Sequence, residues 1–317
     1  MPPKISVIIP TFNRLPILSE TVTALASNVG DGIPAWELII VDDGSTDQTP
    51  TFLELLQSEN RFNLVVIRQA NKKQAAARNK AMQVARGRLF VFLGDDTVPV
   101  QDFLAIHWQR FQEKGEPANY AAIGHVDWHD DIARTPFRNW INNWGPQFGF
   151  RLIENPDHVP FNFFYTSNLA FSRALYDGYG GFNEIFSQYG WEDIELGLRY
   201  QKKGHMRLRY EPKALVRHLH HISIESFCQR QIKVGYSAVK FYRLYPELRE
   251  FLFYDEQQVN PRMKFPLLLF GRLLGFFDEY TAIEYAPLCQ RFLRLNEWLL
   301  NQCYRLGMWQ AQQEGNG

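Results

Sequence analysis

Short apolar runs and amphipathic stretches alternate through the first hundred residues. Ile5 to Ile9, Leu38 to Val41, Leu64 to Ile67 and Leu89 to Leu93 are continuous apolar runs, as expected of parallel strands buried on both faces. Between them, Leu15, Leu18, Val22, Leu25 and Val29 recur at helical spacing. Asp47 is placed to cap a second helix carrying Phe52, Leu53 and Leu56, and an alanine-rich third helix is expected over Gln74 to Ala85. Strands and helices alternating in units of this length predict a parallel sheet with right-handed crossovers.

The pattern changes after Pro99. Ala118 to Val126 reads as a strand, and the stretch from Asp127 to Pro160, rich in Trp, Asn and Pro, shows little periodicity. Irregular stretches of that length are uncommon unless they line a site. Strand character returns over Tyr165 to Phe171. A helix is expected from about Trp191 to Lys203, followed by two short strands, Arg207 to Tyr210 and Ala214 to Val216. From Ser223 to Met308 the spacing is mostly helical.

Three strand ends carry polar clusters: Thr11 to Arg14, Asp42 with Asp43, and Asp95 with Asp96. In a parallel sheet all three fall along one edge, the carboxyl edge at which ligands of open α/β sheets gather. Each cluster alone also suits a turn or a helix cap. Asp43, Ser45 and Asp47 already suffice for turn and cap, which leaves Asp42 for another task. Convergence favours a nucleotide site. There is neither a glycine-rich dinucleotide fingerprint nor a Walker A loop, so NAD and a P-loop phosphate site are not indicated.

Composition narrows the partners. Lys plus Arg equals Asp plus Glu at 34 each, so no excess charge attracts nucleic acid non-specifically. Three cysteines (Cys228, Cys289, Cys303) form no metal-ligand spacing and cannot all pair. With no signal-type leader ahead of the first strand, this leads us to expect a cytoplasmic protein. Phe265 to Phe277 is too short to span a bilayer and contains Arg272.

The motifs SVIIPTFNR, VDDGSTDQT, FLGDDTVP, TSNLAFSR and GGFNEIFSQYGWEDIELGLR stand in the order seen in family 2 glycosyltransferases, which the chain resembles over roughly residues 4 to 221. The resemblance implies an α/β GT-A fold (a Rossmann-like nucleotide-diphospho-sugar transferase): a mixed sheet flanked by helices, with a C-terminal helical appendage. It divides the chain into a nucleotide-sugar-binding half (1–100), an acceptor-binding half of the same domain (101–221) and a helical extension (222–317). By this resemblance Pro10, Thr11 and Arg14 hold the nucleotide, Asp42 reads the base edge, and Arg78 lies near the nucleotide. Asp95 faces the ribose and Asp96 the metal. Asp193 is the general base, with Trp191 and Glu192 on the acceptor side, and His218 is a late metal ligand beside two competitors, His220 and His221. Gly94 replaces a frequent first Asp of the DxD-type motif, and Lys72 replaces the usual glycine after Asn71.

The implied reaction is inverting, metal-assisted transfer of a sugar from a nucleoside-diphosphate donor to a hydroxyl acceptor, a glycan or a lipid-linked glycan, as in polysaccharide biosynthesis. A UDP-sugar is the donor the family favours. Oxygen ligands suit Mg²⁺ or Mn²⁺ as cofactor, and an imidazole ligand tilts the choice towards Mn²⁺. Two other readings compete. A nucleotidyltransferase making nucleotide sugars needs a basic, glycine-rich loop after the first strand, which TFNR is not; the other is a catalytically silent nucleotide-sugar-binding protein. Phe265, Leu267, Leu268, Leu269, Leu273, Phe276 and Phe277 have three candidate uses: closing the core, forming a homo-oligomer seam, or resting peripherally on the inner membrane surface.

Overall fold

The computed structural model describes residues 2–30, 32–60, 62–186, 188–254, 261–280 and 286–314. The chain divides into two compact units. One comprises Met1–Ile132, Phe150–Asn183 and Asp193–His220; the other comprises Ala133–Gly149, Glu184–Glu192 and His221–Gly317.

The first unit is built on an eight-stranded mixed sheet. Its strands are β1 (Ile5–Thr11), β2 (Trp36–Asp42), β3 (Leu64–Arg68), β4 (Leu89–Leu93), β5 (Thr97–Pro99), β6 (Tyr120–Trp128), β7 (Asn168–Ser172) and β8 (Arg207–His218), in the spatial order β3-β2-β1-β4-β7-β6-β8-β5. β3, β2, β1 and β4 are parallel, as the apolar runs predict. β7 enters antiparallel beside β4, with Leu93 opposite Asn168, and thereby brings residues 166–167 to the carboxyl end of β4. All five residues of β4 are buried, so the strand sits at the centre of the core.

The helices of this unit are α1 (Leu15–Ala26), α2 (Thr49–Ser58), α3 (Lys73–Val84), α4 (Phe103–Glu113), α6 (Arg173–Tyr179) and most of α7 (Glu192–Gly204); α5 (Pro136–Asn143) belongs to the second unit. The N-cap position of α2 falls on Gln48, not on Asp47 as the spacing suggests; Asp47, one residue earlier, accepts from the Thr49 N–H at 3.0 Å. Three helices depart from the sequence reading. α4 and α6 are short amphipathic segments between stronger signals. α5 lies within the stretch expected to be irregular, started by Pro136 and by Thr135, whose hydroxyl accepts from the Arg138 N–H.

The two short strands expected over 207–216 are one strand, β8, bulged where it pairs with β6. The register shifts at Gly124/His125, and Asn168 pins the bulge: its amide donates to the carbonyls of His125 (2.9 Å) and Ala214 (2.8 Å). A Cβ on Gly124 would fall 2.3 Å from Asn168 Nδ2 and 2.4 Å from the Ala214 oxygen, so only glycine fits. The Asn168 amide oxygen faces His107 Nε2 at 3.3 Å, and both residues are fully buried.

The second unit is helical. α8 (Ile224–Leu244), α9 (Lys264–Tyr280) and α10 (Ala286–Glu314) pack on one another, and α5 contacts α10. The helical spacing over 223–308 is therefore realised where it is described; residues 255–260 and 281–285 lie outside the described residues. α8 and α10 meet at two glycines. A Cβ on Gly235 would meet the Tyr304 carbonyl oxygen at 1.9 Å, and one on Gly307 the Ile232 oxygen at 1.8 Å. The fully buried Arg138 of α5 bonds the Ile222 and Ala133 carbonyls and forms an ion pair with Glu279, while Asp278 accepts from the Thr135 hydroxyl and the Phe137 N–H. Among the described residues no helix is long and apolar enough to cross a membrane.

Two measurements test the buried pin. Burial drives the His107 pKa down to about 4, against a smaller opposing effect of the Asn168 hydrogen bond. The folded chain thus keeps His107 neutral while the unfolded chain takes up a proton near pH 6.5. Its stabilising contribution is complete above about pH 6.5 and is lost as pH falls towards 4, by about 2 kcal/mol at pH 5. Denaturation of His107→Gln against the parent at pH 7 and pH 5 is expected to show that loss only in the parent. Asn168→Asp removes both amide donors and sets a carboxylate against two buried carbonyls, at an expected cost of about 3 kcal/mol or more in urea melts.

Candidate active site

The sheet carries the polar strand ends to one edge, as the parallel reading requires. β1 ends at Thr11, β2 at Asp42 opposite it in register, and β4 runs into Gly94-Asp95-Asp96. The Thr11 hydroxyl donates to Asp95 Oδ2 at 2.8 Å, and the Thr21 hydroxyl of α1 donates to the Asp95 carbonyl at 3.0 Å. Arg14, at the start of α1, donates to Asp96 Oδ2 at 2.8 Å and stands 3.9 Å from Asp95. Pro10 lies one residue before Thr11, beside Val41.

β5 explains why His218 joins this group. The strand begins directly after Asp96 and pairs antiparallel with the end of β8, with Thr97 opposite His218. The Leu219 N–H donates to the Asp96 carbonyl at 2.8 Å, and His218 Nε2 lies 3.4 Å from Asp96 Oδ2. Trp128, opposite His218 on β6, packs its ring 5.4 Å from the imidazole. Of the three neighbouring histidines, His218 touches Asp96 and His220 adds positive charge to it, whereas His221 Nε2 lies 3.4 Å from Glu279 in the second unit.

The adjacent carboxylates are driven apart in acidity. Burial and the charge of Asp96 push Asp95 up to about 7, against the pull of Arg14 and the Thr11 hydrogen bond. Burial would raise Asp96 too, but the charge and hydrogen bond of His218, then Arg14 and His220, outweigh it and hold this carboxyl far below the usual range. The turn is therefore anionic at Asp96.

Asp193, the second residue of α7, reaches the same edge from the other side of β4. Its Oδ2 accepts from the Thr166 N–H (3.3 Å) and hydroxyl (3.4 Å), and its Oδ1 from the Ile194 N–H (2.9 Å). The next residue, Ser167, accepts at its carbonyl from the Gly94 N–H and the Thr97 hydroxyl. One segment, Thr166-Ser167, thus touches Asp193 on one residue and the Gly94–Thr97 turn on the next. In the second unit, the Trp191 indole donates to the Val234 carbonyl at 2.9 Å and packs against Phe241 and Phe251, while its backbone adopts a left-handed φ of 75°. Glu192 is buried at the start of α7.

The VDDGSTDQT turn is wired differently from the sequence reading. Asp42, not Asp43, closes it, accepting from the Ser45 N–H at 2.8 Å, with Arg68 Nε 3.5 Å from its second oxygen. Asp43 instead accepts from the Lys72 and Lys73 N–H groups and the Gln69 amide, each at 2.8 Å. It thereby fixes the loop in which Lys72 replaces the usual glycine. Arg78 is buried on α3, bonded to Gln74 and stacked 5.4 Å from the Phe182 ring. Sequence reasoning did not single out Thr166, Trp128 or Thr21. The first opens the TSNLAFSR motif, just ahead of β7, but carries no role there on its own, and the other two have no local signature.

The model of the family described as "Glycosyl transferase family 2" matches residues 6–180. The chain is 28% identical over 227 residues to validoxylamine A glucosyltransferase of Streptomyces hygroscopicus subsp. jinggangensis, covering 64% of this chain and 52% of that protein. It is 26% identical over 226 residues to the chondroitin synthase of Pasteurella multocida, covering 63% and 23% respectively. The chain thus spans about half the length, or less, of these relatives. In fold it is similar to the mannosyltransferase PcManGT of Pyrobaculum calidifontis in complex with GDP-Man and Mn²⁺, with a TM-score of 0.59 and 19% identity over 97% of this chain and 86% of the other. TarS (1–349) of S. aureus in complex with UDP follows with a TM-score of 0.55 and 16% identity over 98% and 92%. The fold is GT-A. With the family match reaching from β1 to the end of α6 and including both carboxylate turns, this chain belongs to glycosyl transferase family 2.

Proposed function

We propose that the chain transfers a sugar from a nucleoside-diphosphate donor to a hydroxyl acceptor with inversion at the anomeric carbon. The observation that carries this reading is the Thr166-Ser167 segment, which joins Asp193 to the turn bearing Asp95 and Asp96. In this reading Pro10, Thr11, Arg14, Asp42 and Arg78 hold the nucleotide, and Asp95 receives the ribose. The relatives support the donor class: PcManGT was solved with GDP-Man and TarS with UDP. A UDP-sugar is our first choice of donor, and a glycan or lipid-linked glycan our choice of acceptor.

The donor set suits a divalent cation. A carboxylate oxygen of Asp96 and the imidazole nitrogen of His218 lie 3.4 Å apart, near the separation of about 3 Å expected for adjacent ligands on bonds of ~2.1 Å. Asp96 and His218 would hold such an ion together with the donor, since no cluster of three His, Cys, Asp or Glu side chains able to hold a metal alone occurs among the described residues. When bound, Mg²⁺ or Mn²⁺ would offset the charge developing on the leaving diphosphate.

Asp193 acts as general base. As the acceptor oxygen bonds to the anomeric carbon and the bond to the diphosphate oxygen breaks, the acceptor proton passes to the Asp193 carboxylate. Thr166 and the Ile194 N–H hold that carboxylate in orientation. Arg14, which bonds Asp96 here, would turn to the leaving diphosphate. Trp191 and Glu192 are assigned to the acceptor by their places in the family motif.

Two experiments test the assignment. Asp193→Asn is expected to lower kcat by ~10²–10⁴-fold while nucleotide affinity, measured by calorimetry, changes less than about twofold; equal loss of both would remove Asp193 from the role of base. Asp96→Asn is expected to abolish the gain in nucleoside-diphosphate affinity that Mn²⁺ gives the parent, a gain of about tenfold or more for a bridging cation. A metal-independent affinity in the parent would reject the cation.

A further inference from the structure

Among the described residues, α9 is apolar on two opposite faces, one buried and one exposed. Leu267, Gly271, Leu274 and Asp278 face inward; a Cβ on Gly271 would lie 3.1 Å from Cys228 of α8. The opposite face carries Phe265 (74% exposed), Leu269 (46%), Leu273 (53%), Phe276 (62%) and Phe277 (51%). A helix hydrophobic on all sides is normally buried on all sides. α10 continues the surface: Leu288, Arg291, Leu295 and Trp298 recur at one-face spacing and all are exposed. Leu295 and Trp298 close an apolar groove of about 580 Å³ with Met263, Pro266, Leu267 and Phe270 of the preceding turn and α9. A contiguous exposed apolar surface of this kind marks an interaction site.

Charge identifies what covers it. The exposed cations Lys264, Arg272, Arg291 and Arg294 border or interrupt the apolar surface. The acids of α9 are turned to other uses: Asp278 is buried against Thr135 and Phe137, and Glu279 pairs with Arg138 and His221. Glu297 of α10 lies on the side away from Leu288, Leu295 and Trp298, by helical spacing. By helical spacing Arg291 stands within the apolar face of α10, and Arg272 at the edge of that of α9, beside Phe265 and Phe276. Against a second copy, a two-fold contact would crowd these like charges in a dry interface. Against a lipid surface, each arginine reaches out to a phosphate while its stem stays among the acyl chains.

We propose that the outer face of α9, with the adjoining face of α10, docks the protein on an anionic lipid surface, α9 lying in the interfacial plane. No described helix is able to cross the bilayer, so the attachment is peripheral. This inference stands apart from the transferase reading and needs no substrate for its test. Flotation of the full chain with vesicles of phosphatidylcholine alone and of phosphatidylcholine with about one third phosphatidylglycerol is expected to show binding about tenfold or more tighter to the anionic vesicles, weakening as salt is raised. Phe265→Ser with Phe276→Ser, both at exposed positions, is expected to abolish flotation with an unchanged melting curve, and Arg272→Glu with Arg291→Glu to abolish the preference for anionic lipid. Protein remaining at the bottom with both compositions would overturn the proposal, as would equal flotation of parent and double-serine variant. Light scattering that shows a dimer in the absence of lipid, dissociated by the two serine substitutions, would assign the face to a second copy instead.

Discussion

Two part-buried carboxylates on consecutive residues cannot both carry charge without a cation near at least one of them. The Gly94–Thr97 turn resolves this by giving Asp95 and Asp96 different neighbours. Asp95 is packed under β1, with the Thr11 hydroxyl as partner, and is pushed towards neutrality. Asp96 faces Arg14, His218 and the charge of His220, and stays ionised. Much of the surrounding architecture serves that asymmetry. β5 exists as a separate strand so that the chain leaving Asp96 pairs at once with the end of β8, which delivers His218. Trp128 backs the imidazole from β6, and Arg14 stands at the N-cap position of α1, whose first turn is set by Pro16.

The strands of the first half were legible because a strand buried on both faces has to be continuously apolar, as β1, β2 and β4 are; β3, the fourth run, is a part-buried edge strand. The carboxylate clusters were legible for a related reason: they interrupt those runs at their carboxyl ends. What escaped was set by tertiary context. α4 and α6 are short enough that their stripes merge with neighbouring strands. α5 is rich in Asn, Trp and Arg, and its start depends on a cap by Thr135 and on Asp278, 143 positions further along. β8 looked like two strands because the bulge puts Pro212 at a position where a ladder would not tolerate it. The exchange of tasks between Asp42 and Asp43 could not be read either, because both residues make equally good turns and only the approach of the 69–73 loop separates them.

The helical unit is held by polar contacts as much as by its core. Arg138 is fully buried, yet its guanidinium is matched by two backbone carbonyls and by Glu279, which is how a buried cation is tolerated. α8 and α10 pack backbone against backbone through Gly235 and Gly307, an arrangement that permits no larger side chain at either position. Precision there contrasts with the outer side of α9, where Phe265, Leu269 and Leu273 are exposed; that is the surface the proposed lipid contact would use.

The rim of the sheet formed by β5 is three residues long and ends at Pro99, with the Val100 N–H adding one last bond to the Leu215 carbonyl. A foreign strand seeking unpaired backbone groups finds almost no template there. The same brevity that hands His218 to Asp96 therefore guards the protein against edge-to-edge aggregation. A loop graft or affinity tag placed after Pro99 that lengthened this strand would trade that safeguard for a sticky border, even with every residue of the site left intact.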